Sequence, residues 1–508
     1  MTTQHYDVII IGAGAGGGTL AYALAPTGKK ILILERGDYI PREKDNWNPE
    51  KIFQEQKYQT REEWLDKDNH AFSPEAFYRV GGNTKVYGAA LQRMRVEDFN
   101  DLQHYDGVSP GWELSYEDIE PYYVRAESLY KVHGQTGEDP TEPPMSAEFP
   151  FGAIAHDTRI QEVADSLQAK GLHPFHLTLA LNRDEENPHS RPCIKCDTCD
   201  PYPCLVDAKS DAQVTCVDPA LKHENVELKI NALVTKLVTD ASGQKVTSVE
   251  VELDGTTQTF TADTFVVSCG AINSASLLLK SANDKHPNGL ANSSGLVGCN
   301  LMLHHHSALI SVSDKPNNTG FQKTLGFNDF YFKGPHQDYP LGQIQLTGKA
   351  KWNRLDIFTP DSVPRESLEY MARHSVDWWL TTEDLPRPEN RVTISSAGKI
   401  KVDYQENNLK PHAELISTWE RYLREVGFFL FFAKKMPLKV VWHQGGTCKF
   451  GSDPQTSVLD LNCRTHDVEN LYVVDASFIP SMGSVNPTLT IIANTLRVAD
   501  HLKTALVA

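Results

Sequence analysis

"DVIIIGAGAGGGTLAYALA" (residues 7–25) is the stretch on which the fold turns. Asp7 to Ile11 is an apolar, β-branched run, the pattern of a strand buried on both faces. Gly12, Gly14 and Gly17 then complete G-x-G-x-x-G, and a helical stretch follows from Thr19 to about Ala25. Each glycine has its own task. Gly12 allows a tight turn, Gly14 lets the backbone approach a diphosphate, and Gly17 lets helix and strand pack closely. The diphosphate would rest on the free N–H groups of the helix start, where the dipole favours negative charge. A second strand, "KKILILERG" (29–37), ends at Glu35, 23 residues after Gly12. An acid there accepts hydrogen bonds from a ribose 2′-OH and repels a 2′-phosphate. NADP is therefore disfavoured and NAD or FAD remain, with Arg36 beside the acid as a further cofactor contact.

Working outward, 508 residues are too many for one ordinary core, so two domains are expected. The hydrophobic (40%) and charged (23%) fractions are those of a soluble globular protein. A net charge of −17 argues against nucleic acid and anionic membrane as partners. No apolar run approaches the ~20 residues of a membrane helix. The first strand begins at Tyr6 with no charged-then-apolar leader before it, so a cytoplasmic protein is expected, with export as a passenger on a signal-bearing subunit as the alternative. "GFFLFF" (427–432) is the most apolar stretch and is expected to be buried; a partner or membrane patch is the lesser reading.

Residues 41–78 read as loops and short helices, and "YRVGGNTKVYGAALQRM" (78–94) as a second glycine-rich turn. Residues 100–150 are acidic and helical or irregular, and 156–171 has the pattern of an amphipathic helix. β-Rich segments follow at 226–240, 246–255 and 257–271, then a helix in "INSASLLLKSA" (272–282). From about 301 to 440 alternation dominates ("SALISVS", "LGQIQLTGKA", "NRVTISSAGKIKVDY"), with a helix near 411–432. This predicts an antiparallel sheet with a helix against it. The end returns to α/β with "NLYVVDAS" (470–477) and a long helix from about Asn486. Nucleotide-binding pieces thus sit at both ends and in the middle. The predicted fold is α/β: a Rossmann-like cofactor domain, discontinuous over 1–100, 205–300 and 440–508, and an α+β substrate-binding part over 101–204 and 301–439, including connecting segments.

Several pieces in order resemble the glucose-methanol-choline (GMC) oxidoreductases, FAD enzymes that oxidise alcohols. They are "DVIIIGAGAGGG" with "LILERG", "VGGNTKVYGA" (80–89), "GWELSYEDIEPYY" (111–123), "VVSCGAINSASLLL" (266–279), "VGCNLMLH" (297–304), "EDLPRPENRV" (383–392), and the block from "HQGGTCKFG" (443–451) to "VADHL" (498–502). The resemblance implies that the loop holds the ADP part of FAD and that Val234 passes the adenine. It implies that the turn with Gly82, Asn83 and Thr84 packs along the flavin, and that Asp475 and Ala476 meet the pyrophosphate or ribityl side. Members that bind FAD covalently use a histidine in that turn. Val86 stands in its place here, so non-covalent FAD is expected.

Oxidising a CH–OH group removes a hydroxyl proton and passes the carbon-bound hydride to flavin N5. A base should take the proton, because the alkoxide is the better hydride donor, and histidine suits the task, with a pKa of ~6.5. His443 opens H-Q-G-G-T, which matches the family's catalytic-histidine motif, and Gly445 and Gly446 would let the backbone approach the ring system. Taken without context, a lone histidine is a satisfied core residue. The second polar position falls on Asn486, as in the His/Asn group of pyranose, choline and cholesterol oxidases. Asn cannot be the base, but it can hold the substrate oxygen; it also fits as the cap of a helix starting at Pro487. Both residues lie by the expected cofactor. His/Asn membership leans toward a secondary alcohol on a ring, and Gln343, Gln345, Lys349, Lys351, Trp378 and Trp379 would suit a sugar or glycoside as well as an ordinary half-buried sheet. The alternatives are a same-fold flavoenzyme with lyase or photodecarboxylase chemistry, or a non-catalytic flavin-binding subunit.

Cys193, Cys196, Cys199 and Cys204 give C-x2-C-x2-C-x4-C. The run approaches a ferredoxin spacing without matching it. Four thiolates also suit zinc, and disulfides are open if the protein is exported. Related clusters occur in sugar and gluconate dehydrogenase subunits, some with an iron–sulfur centre. The electron acceptor (oxygen, a quinone or a carrier protein) and a partner subunit hang on this choice. "HHH" (304–306) invites a metal reading, but consecutive strand residues point to opposite faces and chelate poorly, so a structural role is expected. The other cysteines read as packing residues.

Overall fold

The structure, a computed structural model, describes residues 4–355 and 363–507. Its central sheet has seven strands. Val226–Lys229, Ile31–Leu34, His5–Ile11, Thr256–Val267, Val246–Leu253 and Leu233–Thr239 lie in that spatial order, and Leu471–Val473 pairs with Thr256–Val267. The pairings of His5–Ile11 on both sides are parallel. Parallel strands are covered on both faces, which is why Val8 to Ile10 and Ile31 to Leu34 are all apolar and buried.

The helix after the glycine loop runs Ala15–Leu24, starting four residues before the expected Thr19. Gly16 to Gly18 are poor helix formers, and packing overrides propensity here. A Cβ on Gly16 would lie 2.2 Å from the carbonyl oxygen of Val474, and one on Gly17 2.0 Å from that of Gly12. The helix packs on the C-terminal helix Thr488–Val507.

The second large sheet is antiparallel, with strands in the order Phe428–Lys435, His305–Ser313, Ser375–Thr382, Gln343–Leu346, Leu325–Phe327 and Phe175–His176. Helices Thr158–Gln168 and Leu409–Glu425 cover it, burying Val163, Leu167, Leu415, Trp419 and Leu423 against Leu309 and Trp378. Parallel sheet with helices beside antiparallel sheet with helices is the mixed α/β class read from the sequence.

Three local expectations are corrected. The helix expected near 411–432 ends at Glu425; Gly427, at φ 96°, breaks it and the chain continues as strand Phe428–Lys435. "GFFLFF" is consequently only partly buried: Phe428 lies in the core and Phe431 and Phe432 pack against it, while the middle of the stretch faces outward. It forms the sheet's edge, Phe429 is the extra residue of a bulge between Phe428 and Leu430, and Phe429 and Leu430 are 56% and 36% exposed. The hairpin Arg391–Ile394 and Ile400–Asp403 belongs to neither large sheet. It joins Trp64–Asp66 and Ala71–Phe72, short strands in a stretch expected to be loop and helix. Among the described residues no helix is long and apolar enough to cross a membrane.

Candidate active site

A cavity of about 650 Å³ runs from the glycine loop to the antiparallel sheet, within the size range of ligand sites. Gly12 sits at φ 102°, and a Cβ there would lie 2.2 Å from the Ser268 carbonyl oxygen. A Cβ on Gly14 would meet only Gly82 Cα, at 3.9 Å. Gly14 is therefore the point where a ligand can reach the backbone. Gly17 does not line the cavity; it serves the helix–strand contact. Glu35 Oε2 accepts from the Ala13 N–H and Oε1 from the Gly37 N–H, both at 3.0 Å. Burial pushes its pKa up, against the pull of the Gly37, Ala13 and Arg36 N–H groups and the Arg36 charge, and the carboxylate keeps acceptor capacity for a hydroxyl. The Arg36 guanidinium lies 3.8 Å from the Tyr78 ring centroid and 3.3 Å from Glu62. Arg36 and Val234 line the same cavity wall.

Gly82, Asn83, Thr84 and Asp475 line the same cavity, and three of these side chains are also tied into the chain around it. Thr84 lines the cavity, but its hydroxyl donates to the Gly81 carbonyl at 2.5 Å and accepts from the Ala212 N–H at 2.9 Å, so it braces the turn. Asn83 Oδ1 accepts from the Phe77 N–H at 3.0 Å. The Asp475 carboxylate accepts from both hydroxyls of Ser274 and Ser477, from the Ser477 N–H at 2.9 Å and from the Gly270 N–H at 3.0 Å. It clamps chain segments together, while burial pushes its pKa up. Ala476, Asn486 and Pro487 also line the wall. Gly445 and Gly446 do not approach the cavity. A Cβ on Gly445 would strike Met482 Sδ at 2.8 Å, and one on Gly446 the Asn300 carbonyl at 2.3 Å.

That close approach is what positions His443. Gly445 and Met302 exchange two backbone hydrogen bonds, of 3.0 and 3.1 Å, tying the His443 loop to the segment before strand His305–Ser313. His443 Nδ1 then lies 3.1 Å from His304 Nδ1. His304 sits at φ 56°, held by Asp384, which accepts from the Leu303 and His304 N–H groups at 2.9 and 2.8 Å. The His306 ring stands edge-on to His443 with centroids 4.6 Å apart, and Trp379 Nε1 donates to His306 Nδ1 at 3.0 Å. His305 points away, with Nε2 2.5 Å from the Asn407 carbonyl. The opposite-face rule thus separates His305 from its neighbours but leaves His304 and His306 together, and His443 joins them from another element. Burial, then the neighbouring imidazoles, pushes His443 and His306 well below the ordinary histidine range, so the neutral forms prevail.

Asn486 Oδ1 accepts from Gln92 Nε2 at 3.3 Å, and Gln92 is held by Gln343 and Gln345. This leaves the Asn486 amide N–H groups free to donate. Gln345, Trp379 and Trp442 line the cavity, the two indoles stacked at 5.6 Å and 22°. Gln343, Lys349, Lys351 and Trp378 do not. Trp378 is in the sheet core, Lys349 donates to the Ser375 carbonyl at 2.6 Å, and Lys351 pairs with Asp197 at 3.1 Å. Sequence reasoning missed Gln92 and Trp442. Only Trp442, adjacent to His443, carried a local signal.

All nine cysteines are unpaired. Thiolates on one zinc ion lie ~3.8 Å apart, given Zn–S bonds of ~2.3 Å. Among the described residues the sets of ligand atoms gathered within 4.8 Å are His304, His306 and His443, and Asp66, Asp68 and His70; the 193–204 thiols are not among them. They do not fit a single ion. A cluster of several irons holds its cysteines farther apart, and Cys193, Cys196 and Cys199 are close enough to act electrostatically on one another. The run abuts the cavity through Asp200.

Two family models, both described as GMC oxidoreductase, match residues 6–306 and 386–495. The chain is 30% identical to paromamine 6′-oxidase of Streptomyces fradiae, over 99% of this chain and 92% of that one. It is 27% identical to the fructose dehydrogenase large subunit of Gluconobacter japonicus, over 98% of each. The fold matches pyridoxine 4-oxidase from Mesorbium loti, with a TM-score of 0.69 at 16% identity, covering 98% of this chain and 99% of that one.

Proposed function

Because the chain belongs to the GMC oxidoreductases, a family of flavin enzymes, we propose that it oxidises a CH–OH group of a sugar or glycoside, with FAD held non-covalently and His443 as the base. The carrying observation is the 3.1 Å contact between His443 Nδ1 and His304 Nδ1. With its proton on Nδ1, donated to His304, His443 keeps the Nε2 lone pair free on the cavity side. A neutral imidazole with a free lone pair is the form a proton acceptor needs.

The residues present fit the cofactor. Gly14 is bare toward the cavity, Glu35 keeps acceptor capacity for a ribose, and the turn at Gly82 to Thr84 faces the loop across the void. Gly12, Arg36, Val234, Asp475, Ala476 and Pro487 would shape its wall. Flavin, when bound, supplies the acceptor for the hydride leaving the substrate carbon. His443 Nε2 takes the hydroxyl proton. The Asn486 amide, oriented through Gln92, donates to the same oxygen and fixes the alcohol. Trp379 and Trp442 offer platforms for a sugar ring, and the names of the relatives agree with that substrate class.

The division into a discontinuous cofactor domain and a substrate-binding part follows the two large sheets. For the 193–204 cysteines an iron–sulfur centre is the reading favoured, on the electrostatic influence among Cys193, Cys196 and Cys199 and the place of the run beside the cavity. Electrons would then leave for a carrier protein or partner subunit rather than oxygen. Anaerobically purified protein is expected to contain iron and acid-labile sulfide, both lost in Cys199→Ser; iron-free protein with full dye-linked turnover would remove the centre. The unpaired state of all nine thiols suits a cytoplasmic setting.

The main test is anaerobic flavin reduction by sugars and alcohols in a stopped flow. His443→Ala is expected to slow it by about 10²–10⁴-fold, with the flavin spectrum intact, and Asn486→Ala by a smaller factor. A His443→Ala protein that bleaches at the parent's rate would show that the base lies elsewhere.

A further inference from the structure

His304, His306 and His443 converge with one nitrogen from each within 4.8 Å of the others. We propose that they form a site for a divalent transition ion such as Zn²⁺ or Cu²⁺, and that the ion switches the base off by forcing its proton onto the wrong nitrogen.

The geometry comes close to such a site. Two nitrogens on a tetrahedral zinc, each at ~2.0–2.1 Å, stand ~3.3–3.4 Å apart. His443 Nδ1 and His304 Nδ1 are 3.1 Å apart. Three neutral imidazoles with no carboxylate suit zinc, copper or nickel rather than calcium or magnesium. The acids acting on His304 are committed elsewhere: Asp384 to the backbone N–H groups of Leu303 and His304 and to the Tyr404 hydroxyl, Glu383 to His104, Ser109 and the Met482 and Gly483 N–H groups. His306 is 3% exposed, and its Nε2 has no hydrogen-bond partner. The fourth ligand position would open on the cavity that His443 lines.

Proton placement explains the effect. In the tautomer the base requires, with no ion bound, the His443 Nδ1–H donates to His304 Nδ1 across their 3.1 Å contact, and His443 Nε2 is the lone pair. With an ion on both Nδ1 atoms, the His443 proton must move to Nε2, so the lone pair facing the cavity is gone. No proton is gained or lost, and no oxidation state changes. His306 sets the threshold. Trp379 donates to its Nδ1 at 3.0 Å, which keeps the His306 proton on Nε2. For Nε2 to bind the ion, that proton must shift to Nδ1, where Thr381 Oγ1, 3.2 Å away, can accept it and the Trp379 N–H loses its acceptor. Removing that N–H should therefore tighten the site.

The inhibition rests on the reading of His443 as the base; the binding does not. Flavin-loaded protein is stripped with EDTA and titrated with CuCl2 for electron paramagnetic resonance, and with ZnCl2 for calorimetry and anaerobic flavin reduction. One Cu²⁺ per chain with nitrogen coupling from two or three imidazoles is expected. Zinc should bind at one per chain and slow flavin reduction reversibly. His306→Gln should weaken the ion at least tenfold, and Trp379→Phe should strengthen it. Copper lacking multiple-nitrogen coupling in the parent protein would overturn the site, as would unchanged affinity in a folded, yellow His306→Gln. The parent spectrum decides even if the variant does not fold. Copper on several imidazoles with undiminished flavin reduction would leave the site standing and overturn the switch together with the base. Slowing by His443→Ala with no ion bound would do the reverse.

Discussion

His443 and Asn486 stand out as candidates because short motifs surround them, and a motif gathers residues that would serve one reacting atom. His304 is not legible as a partner of His443, because the 139 positions that separate them are bridged by the Gly445–Met302 backbone pairing. The same holds behind the site for Asp98. Its Oδ2 accepts from the Arg95 N–H and the Tyr331 hydroxyl, both at 2.8 Å, and its Oδ1 is buried without a partner. Burial, and then the charge of Glu383, raises its pKa from 3.8 to about 7, against the opposing pull of Arg95; Glu383 is itself paired with His104 at 3.2 Å. An acid held more tightly protonated when folded stabilises the fold fully below its unfolded pKa, and that contribution is lost as pH rises through the folded value. Asp98→Asn, which imitates the protonated form, is expected to gain on the parent between pH ~4 and ~7 by on the order of 2–4 kcal/mol. Urea titrations of both proteins across that range measure it, and a pH-independent difference would contradict it.

The strand–loop–helix at 5–24 shows how much of an element can be read from spacing alone. The tasks read for Gly12, Gly14 and Gly17 correspond to the three contacts their missing Cβ atoms leave open. Gly17→Ala would place a Cβ 2.0 Å from the Gly12 carbonyl, so helix and strand must separate. A loss of roughly 1–3 kcal/mol is expected from such overpacking, with weaker flavin retention, measured by thermal unfolding and by the flavin content of purified protein. At 409–435 the spacing misled. The helical pattern of Leu409–Glu425 continues into apolar residues, and only Gly427 and the edge pairing with His305–Ser313 turn them into a strand. Its exposed Phe429 reflects a bulge, which composition does not announce.

In the molecule as a whole, the cavity draws walls from both large sheets and from segments hundreds of residues apart, Gly14, Val234, His443 and Asn486 among them. A ligand that fills it should bind the folded chain and not the unfolded one. Removing the flavin is therefore expected to lower the unfolding temperature, and re-adding FAD at 100 times its Kd to restore about 2.7 kcal/mol. Calorimetry of stripped and reloaded protein checks this. An unchanged unfolding temperature would mean that the cavity is not the flavin's seat.

The α/β class and the candidates for the nucleotide loop and the base were legible in the chain, because each depends on residues a few positions apart whose periodicity or spacing is itself the physical constraint. The imidazole cluster, the amide chain from Gln92 to Asn486 and the exposed edge at Phe429 were decided only by tertiary structure. They arise where separate segments meet, and the distance between two such segments in space bears no fixed relation to their distance along the sequence.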